Sequence, residues 1–307
     1  MITWVLIDNK IGGNKQSIAI ANKVANGYIT KKIKYNFFAS IPNAVTGPTL
    51  FGVDIKGSDI INKDLPDLII CCGRRLARIS LYIKKQNNNK TKIVVILNPN
   101  FNYNKFDAVI LPRHDLKNGK NVITYIGSLV EIDRKKIDDE VEKWKPIFNA
   151  YKKPIVSFFM GGDTKKIKFQ AKDIEKIFIL KESLLITTSR RTSKESEEFI
   201  KNNAGNNYLY LWNREQGANN PYHAMLEFAD YLIITGDSIN MLAEACSSGK
   251  PVYICFPKIL NKKHNIFCEE LIRDGYAKKF NGKLEKYEYK PLNELDNVAI
   301  KLKILLS

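Results

Sequence analysis

Tyr231-Leu232-Ile233-Ile234-Thr235-Gly236-Asp237-Ser238, followed by Glu244-Ala245 and Gly249-Lys250-Pro251-Val252, is the stretch whose reading decides the fold. Its first five residues form a continuous apolar run with no polar alternation. Such a run suits a strand whose two faces are both covered by helices. Thr-Gly-Asp-Ser then reads as a strand-to-helix turn, a helical pattern begins at Ile239, and Gly-Lys-Pro leads into a second run, Val252 to Phe256. Strand, turn, helix, turn and strand make one βαβ unit of a parallel sheet.

Working outward, the same unit recurs. Ile2 to Ile7, Leu68 to Cys72, Ile93 to Leu97, Ala108 to Leu111 and Val122 to Ile126 read as strands in the first half. Gln16 to Asn26 and Arg75 to Lys84 carry apolar residues at helical spacing between them. A charged helical stretch, Ile132 to Tyr151, ends at Lys152-Lys153-Pro154, where the domain boundary is expected. Beyond it, Ile155 to Met160, Leu184 to Thr188 and Tyr208 to Trp212 join the two opening runs as strands, with helices from Ala171, Ser193, Tyr222, Ile239 and His264. The expectation is an α/β chain with two Rossmann-like, doubly wound parallel-sheet domains, 1–152 and 153–307. Leu295 to Leu306 reads as a terminal amphipathic helix of the kind that packs back on the first domain.

Of the 307 residues, 26% are charged and 44% hydrophobic, an ordinary globular balance. The five cysteines, Cys71, Cys72, Cys246, Cys255 and Cys268, show no CxxC spacing, which disfavours a disulfide framework or a zinc site and fits a reducing cytoplasm. The apolar opening stops at Asp8, too early for a signal peptide, and no run reaches the ~18 residues of a membrane span. The expected location is therefore cytoplasmic, with any membrane contact peripheral and on an inner face. Net charge is +17, and residues 1–150 hold 24 Lys and Arg against 13 Asp and Glu. That excess attracts anionic partners such as a glycolipid or a membrane surface. The lysines sit among asparagines, as in Lys84-Lys85-Gln86-Asn87-Asn88-Asn89-Lys90, rather than in an Arg-rich aromatic stripe, so nucleic acid is not favoured.

In an open parallel sheet the ligand lies beyond the carboxyl ends of the strands. Gly161-Gly162-Asp163-Thr164 lets the backbone approach an anion there, although a plain tight turn would look alike. Ser189-Arg190-Arg191-Thr192 offers hydroxyls and two guanidinium groups to a diphosphate, against the bland alternative of a solvated helix start. Asp237 and Ser238 open a helix N-terminus suited to phosphate, and Glu244 projects from that helix toward ribose hydroxyls, or is simply an exposed carboxylate.

These segments resemble the donor site of GT-B glycosyltransferases. More narrowly, the chain is similar to the elongate-mitochondria (mitochondrial fission) family of GT-B glycosyltransferase-like proteins. The resemblance extends over Asp8 with Gly12 and Gln16, Pro66-Asp67 with Gly73-Arg74-Arg75, Arg113-His114-Asp115, Gly161-Gly162, Ser189 to Thr192, Asn220-Pro221-Tyr222 and the Thr235 to Val252 segment. It implies a GT-B fold with a central cleft, acceptor contacts in the first domain from Gly12, Gly13, Gln16, Gly73, Arg74 and Arg75, and a nucleotide-sugar in the second. It implies neither a metal nor another cofactor. One departure stands out, since the family's first loop often reads Asp-x-Arg-x-Gly-His, whereas this one is Asp8-Asn9-Lys10-Ile11-Gly12-Gly13. The candidate catalytic residues are Asp8 and His114, either of which would serve as the base for a metal-independent hexosyltransferase.

Two rival readings follow. A nucleoside-diphosphate-sugar epimerase would need a GxGxxG dinucleotide fingerprint and a helical Tyr-x-x-x-Lys pair; the chain has no GxGxxG, and its Tyr28 to Lys32 lies in a strand-like segment. A non-catalytic adaptor on a GT-B scaffold, recruiting fission or envelope machinery to a membrane, fits the family's name. The sequence shows no linker, tail or exposed amphipathic segment that such an adaptor displays. Oligomeric state leaves no trace in the sequence.

Overall fold

The structure, a computed structural model, describes residues 1–307 except 60, 62, 130–133, 163–168 and 212–219. Asp163, Thr164 and Trp212, which the sequence reading includes, lie outside the described residues. The chain divides into two compact units, Met1–Glu131 with Asn293–Ser307, and Ile132–Leu292.

In the first unit β1 (Thr3–Ile7), β2 (Ile29–Lys32), β3 (Leu68–Cys72), β4 (Lys92–Ile96), β5 (Ala108–Pro112) and β6 (Val122–Tyr125) form a six-stranded sheet in the order β2-β1-β3-β4-β5-β6. Every pairing is parallel. Successive residues along each strand face opposite sides, so Trp4, Ile69, Ile93 and Val109 pack on one face with Leu76, Ile79 and Ile83 of α3 (Arg74–Gln86). Val5, Ile70, Val94 and Ile110 pack on the other with Ala19 and Ile20 of α1 (Ile11–Val24). The last helix, α10 (Glu294–Leu306), lies on that second face through Leu295, Val298 and Leu302. Its Glu294 carboxylate accepts the Ile126 amide at 2.6 Å, and Lys23 of α1 meets Asp296 at 2.7 Å.

The second unit repeats the plan. β7 (Ile155–Phe159), β8 (Ser183–Thr187), β9 (Tyr208–Tyr210), β10 (Tyr231–Thr235), β11 (Val252–Cys255) and β12 (Ala277–Lys279) are ordered β12-β11-β10-β7-β8-β9. All of these pairings are parallel as well. The fully buried strands β7 and β10 lie side by side at its centre, as their unbroken apolar sequence requires.

The division falls earlier than the 152/153 boundary read from the sequence, because the helix α4 (Arg134–Phe148) belongs to the second unit. Phe148 stacks edge-on against Tyr208 and Phe228, burying the apolar stripe of α4 there. Glu140 of α4 caps α7 (Tyr222–Phe228), accepting the His223 amide at 2.9 Å, the Ala224 amide at 3.3 Å and a contact from His223 Nδ1 at 2.8 Å. Burial alone would raise the Glu140 carboxyl, but the His223 ring and the two amides outweigh it and hold it below the usual range.

This clamp carries a signed pH dependence. A carboxyl held low in the folded state stabilises it above the unfolded pKa, and that contribution fades as pH falls through the lower, folded value. Glu140→Gln is expected to cost about 1–2 kcal/mol at neutral pH. Urea unfolding should show the variant and the parent converging as pH drops from ~5 to ~3. A difference that stays constant across that range would remove Glu140 as the charged cap.

Candidate functional site

The chain runs β7 to β8 to β9 in one direction and then returns to lay β10 on the opposite side of β7. An open parallel sheet leaves its crevice where the winding reverses, here at the carboxyl ends of β7 and β10. Their register pairs Phe159 with Ile234, so Gly161-Gly162 and Gly236-Asp237 emerge next to each other.

Asp237 ties this place together. It is 1% exposed, its Oδ2 accepts the Gly162 amide at 2.8 Å and faces Arg191 Nη2 at 3.2 Å, and its Oδ1 accepts the Thr235 hydroxyl at 2.7 Å. Thr235 Oγ1 in turn accepts the Gly161 amide at 2.7 Å, and the Thr192 hydroxyl donates to the Gly161 carbonyl. Burial pushes the Asp237 carboxyl above the usual range, and the Gly162 amide, the Thr235 hydroxyl and Arg191 recover only part of that. The two glycines are required by contact. A Cβ on Gly161 would sit 2.1 Å from Asp237 Oδ1, and one on Gly162 would sit 2.1 Å from the Arg191 backbone carbon. Asp237 therefore serves as the internal tie of three loops, a different task from the phosphate contact that the sequence suggests.

Other groups remain available around this tie. Ser238 is the N-cap of α8 (Ile239–Ser247) and makes no side-chain capping bond, so the first-turn amides of α8 keep their partial positive charge for an anion. Ser189 holds its loop by accepting the Arg191 amide on Oγ at 3.3 Å, and its own amide donates to Thr192 Oγ1 at 2.9 Å. Arg190 is exposed and enters no ion pair among the described residues. The Arg191 side chain, 42% exposed, keeps part of its guanidinium open to solvent. His264, in the first turn of α9 (Lys262–Arg273), reaches the same cluster. Burial draws its ring below the ordinary histidine range, against the pull of Asp237 and with that of Arg191, which leaves a neutral imidazole at neutral pH.

Glu244 is half-buried rather than exposed, and its Oε2 accepts the Tyr222 hydroxyl at 2.6 Å. Burial, reinforced by Glu244, pushes that phenol well above its usual range, so Tyr222 stays a donor. Asn220 accepts the Tyr222 amide at 3.1 Å and so shapes the start of α7. Sequence reasoning missed Tyr222 and His264 as neighbours of the site, since no motif spacing links α7 or α9 to the β10 turn.

In the first unit the winding reverses between β1 and β3. Asp8 ends β1, is 8% exposed, and accepts the Lys10 amide on Oδ1 at 2.8 Å, while Asn14 bonds the Asp8 amide and carbonyl at 3.0 and 2.7 Å. These bonds start α1 at Ile11, so Gly12 and Gly13 lie inside the helix with Gln16 rather than in a loop. Gly13 packs on Cys72, where a Cβ would come within 3.1 Å of Sγ, whereas Gly12 faces open space. Gln16 accepts the Tyr125 hydroxyl at 3.2 Å.

Gly73, at φ 84°, caps α3 in a conformation that glycine adopts without strain. Arg75 lies over the Tyr35 ring at 5.2 Å, and the Tyr35 hydroxyl is pushed up by burial and then by Asp8 beside it. Arg74 turns elsewhere, donating to the carbonyls of Ile41 at 3.2 Å and Ser40 at 3.0 Å. Asp8, Gly13, Gly73 and Arg75 thus gather with Tyr35, which no motif flagged, and Arg74 holds a neighbouring loop. His114 sits in the 3-10 turn Arg113–Asp115 after β5, with β3 and β4 between that strand and β1, which puts the two strand ends about 14 Å apart at ordinary strand spacing.

Two doubly wound parallel sheets, each with polar groups gathered at its reversal point, define the GT-B glycosyltransferase-like class of fold. Among solved structures, the chain is similar to a glycosyltransferase from Rickettsia africae ESF-5, with a TM-score of 0.53 and 13% identity over 99% of this chain and 88% of that one. It is also similar to a UDP-GlcNAc 2-epimerase from Neisseria meningitidis bound to UDP-GlcNAc, with a TM-score of 0.51 and 13% identity over 100% and 99% of the two chains. The Acinetobacter baumannii MurG structure gives 0.50 and 11% over 100% and 92%. At these identities the likeness speaks for the fold.

The chain belongs to the family described as Mitochondrial fission ELM1, whose model matches residues 12–305. The uncharacterized protein RP120 of Rickettsia prowazekii (strain Madrid E) is 36% identical, covering 100% of this chain and 99% of that protein. The mitochondrial fission protein ELM1 of Arabidopsis thaliana is 28% identical over 89% and 73%.

Gly161→Ala tests the tie directly. Its Cβ must displace the Asp237 carboxylate or the β7 turn, so a loss of about 2–4 kcal/mol is expected in thermal or urea unfolding. Gly12→Ala, at a helical position with open space, should be neutral or slightly stabilising. Equal stability for both variants would mean that the three loops are not locked as described.

Proposed function

We propose that this chain is a metal-independent, nucleotide-sugar-dependent glycosyltransferase of the hexosyltransferase type, with an anionic cell-envelope glycolipid or saccharide as acceptor at the inner face of a membrane. The observation that carries the reading is the β7/β10 reversal point, where the uncapped N-terminus of α8, the Ser189 loop and two arginines surround one place. A diphosphate suits such a place, because helix-terminal amides and guanidinium groups bind its oxygens by charge-assisted hydrogen bonds.

In this reading the diphosphate lies at Gly162, Ser189 and Ser238, with Arg190 neutralising it. Glu244, held by Tyr222, accepts ribose hydroxyls, and Asn220 fixes the turn that carries Tyr222. The UDP-GlcNAc bound to the Neisseria meningitidis structure of like fold supports a nucleotide-sugar in this role. Asp8 is the favoured base. It takes the proton of the acceptor hydroxyl as the new glycosidic bond forms and the nucleoside diphosphate departs with the electrons of the old one. His114 is the other candidate for that proton. Gly12, Gly13, Gln16, Gly73 and Arg75 would form the acceptor side.

A second reading has its own support, since the Arabidopsis thaliana relative is named for mitochondrial fission. There the same scaffold is a non-catalytic adaptor. Solved structures of this fold include both a glycosyltransferase and an epimerase, so fold leaves the chemistry open.

A thermal-shift panel of UDP, GDP, ADP, CMP and their sugar conjugates separates the two readings. Ligand at about 100 times its dissociation constant adds ~2.7 kcal/mol, a rise of several degrees. One nucleotide should stabilise the protein, and Glu244→Gln, which still accepts the Tyr222 hydroxyl, should weaken that nucleotide about tenfold. No shift with any nucleotide would favour the adaptor.

A further inference from the structure

Between β2 and β3 the chain makes a long excursion whose described residues contribute no strand to the sheet. It is nonetheless firmly built. Arg74 holds the carbonyls of Ser40 and Ile41, and Asn43, 2% exposed, donates to the carbonyls of Arg74 at 2.8 Å and Pro99 at 3.0 Å. Arg78, 1% exposed, donates to Thr46 Oγ1 at 2.9 Å and to the Phe51 carbonyl. Among the described residues no carboxylate pairs with Arg78, and burial draws its guanidinium below the usual range. A buried, unpaired charge is a costly anchor, and here it serves only to fix the two flanks of this excursion.

What the anchors display is apolar. Phe37 is 89% exposed, Val45 77%, Phe38 54% and Phe51 48%. The three phenylalanines form one cluster, with ring centroids 5.9 Å apart for Phe37 and Phe38 and 5.7 Å for Phe38 and Phe51. Gly52, at φ 79°, presses against Ala39 so closely that a Cβ would lie 2.8 Å from its Cα, which keeps the tip compact. Three exposed aromatic rings held on a rigid mount are not the scattered apolar residues of an ordinary surface.

The charge around them identifies the occupant. Residues 29–59 contain four lysines, Lys31, Lys32, Lys34 and Lys56, against two aspartates. Both aspartates accept backbone amides, Asp54 that of Gly57 at 3.0 Å and Asp59 that of Lys32 at 2.7 Å. The chain as a whole is at +17, and among the described residues no helix is long and apolar enough to cross a membrane. We propose that the Phe37-Phe38-Phe51 tip inserts into the headgroup region of an anionic lipid bilayer, with the neighbouring lysines on its phosphates. Aromatic rings favour that depth, and each lysine near an anionic surface strengthens attachment. This places the membrane contact of the proposed function at one loop, and it does not depend on the nucleotide site.

Vesicle flotation of the full chain tests it. Vesicles of phosphatidylcholine with about one third phosphatidylglycerol should bind the protein at least tenfold more tightly than phosphatidylcholine alone at low salt. Phe37→Ser with Phe38→Ser should weaken that binding at least ~10-fold with an unchanged melting temperature, because both rings are already exposed. Lys32→Gln with Lys34→Gln should reduce the preference for phosphatidylglycerol. The double serine variant should keep any nucleotide-induced thermal shift of the parent, so the loss of one property is told apart from the loss of the other. Undiminished flotation of the serine variant overturns the proposal. So does a concentration-dependent dimer that this variant abolishes, since the tip would then be a contact between copies.

Discussion

The Asp237 carboxylate is the constraint on which the second unit's site depends. Three loops, after β7, β8 and β10, meet beyond the sheet, and backbone polar groups meeting there without water need partners. Asp237 and Thr235 supply them to both glycine amides and engage Arg191 besides. Since the glycines leave no room for a Cβ, the loops approach to van der Waals contact, and the outward-facing groups beside them are held in place before any ligand arrives. A buried carboxylate of raised pKa is the cost of that arrangement, and its full set of hydrogen bonds offsets much of it.

The first unit solves a similar problem with a different residue pair. There Asp8 and Asn14 bind one another's surroundings and start α1, while Gly73 lets α3 begin directly at the end of β3. The acid at this reversal point lies beside a half-buried tyrosine, over whose ring an arginine is stacked, instead of glycine amides. The same topology therefore surrounds one unit's reversal point with helix-terminal amides and arginines and the other's with a carboxylate.

Much of this was legible in the sequence. Continuous apolar runs located ten of the strands to within a residue or two, because a parallel sheet covered on both faces tolerates no polar break. β12 (Ala277–Lys279) escaped, since an edge strand of three residues with two lysines carries no such run. The position after each strand led to Gly161, Arg191 and Asp237, and the resemblance led to Asp8; the structure puts the first three beside the β7/β10 reversal point and Asp8 beside the β1/β3 one. Their partners were not legible: whether Asp237 meets a ligand or a glycine amide depends on how loops far apart in sequence come together. The resemblance made Arg74 an acceptor contact, yet it grips the carbonyls at Ser40 and Ile41. The exposed aromatic tip also went unnoticed, because Phe37, Phe38 and Phe51 follow neither helical nor strand spacing and only the folded excursion gathers them.

The most direct test of the central claim is a crystal structure of the protein with a nucleoside diphosphate bound. The account expects the diphosphate at the carboxyl end of β7 and β10, within hydrogen-bonding distance of the α8 N-terminus and the Ser189-Arg190 loop, with the Asp237 bonds unchanged. A diphosphate bound at the β1/β3 end of the first unit, or one that displaces Arg191 from Asp237, would contradict it.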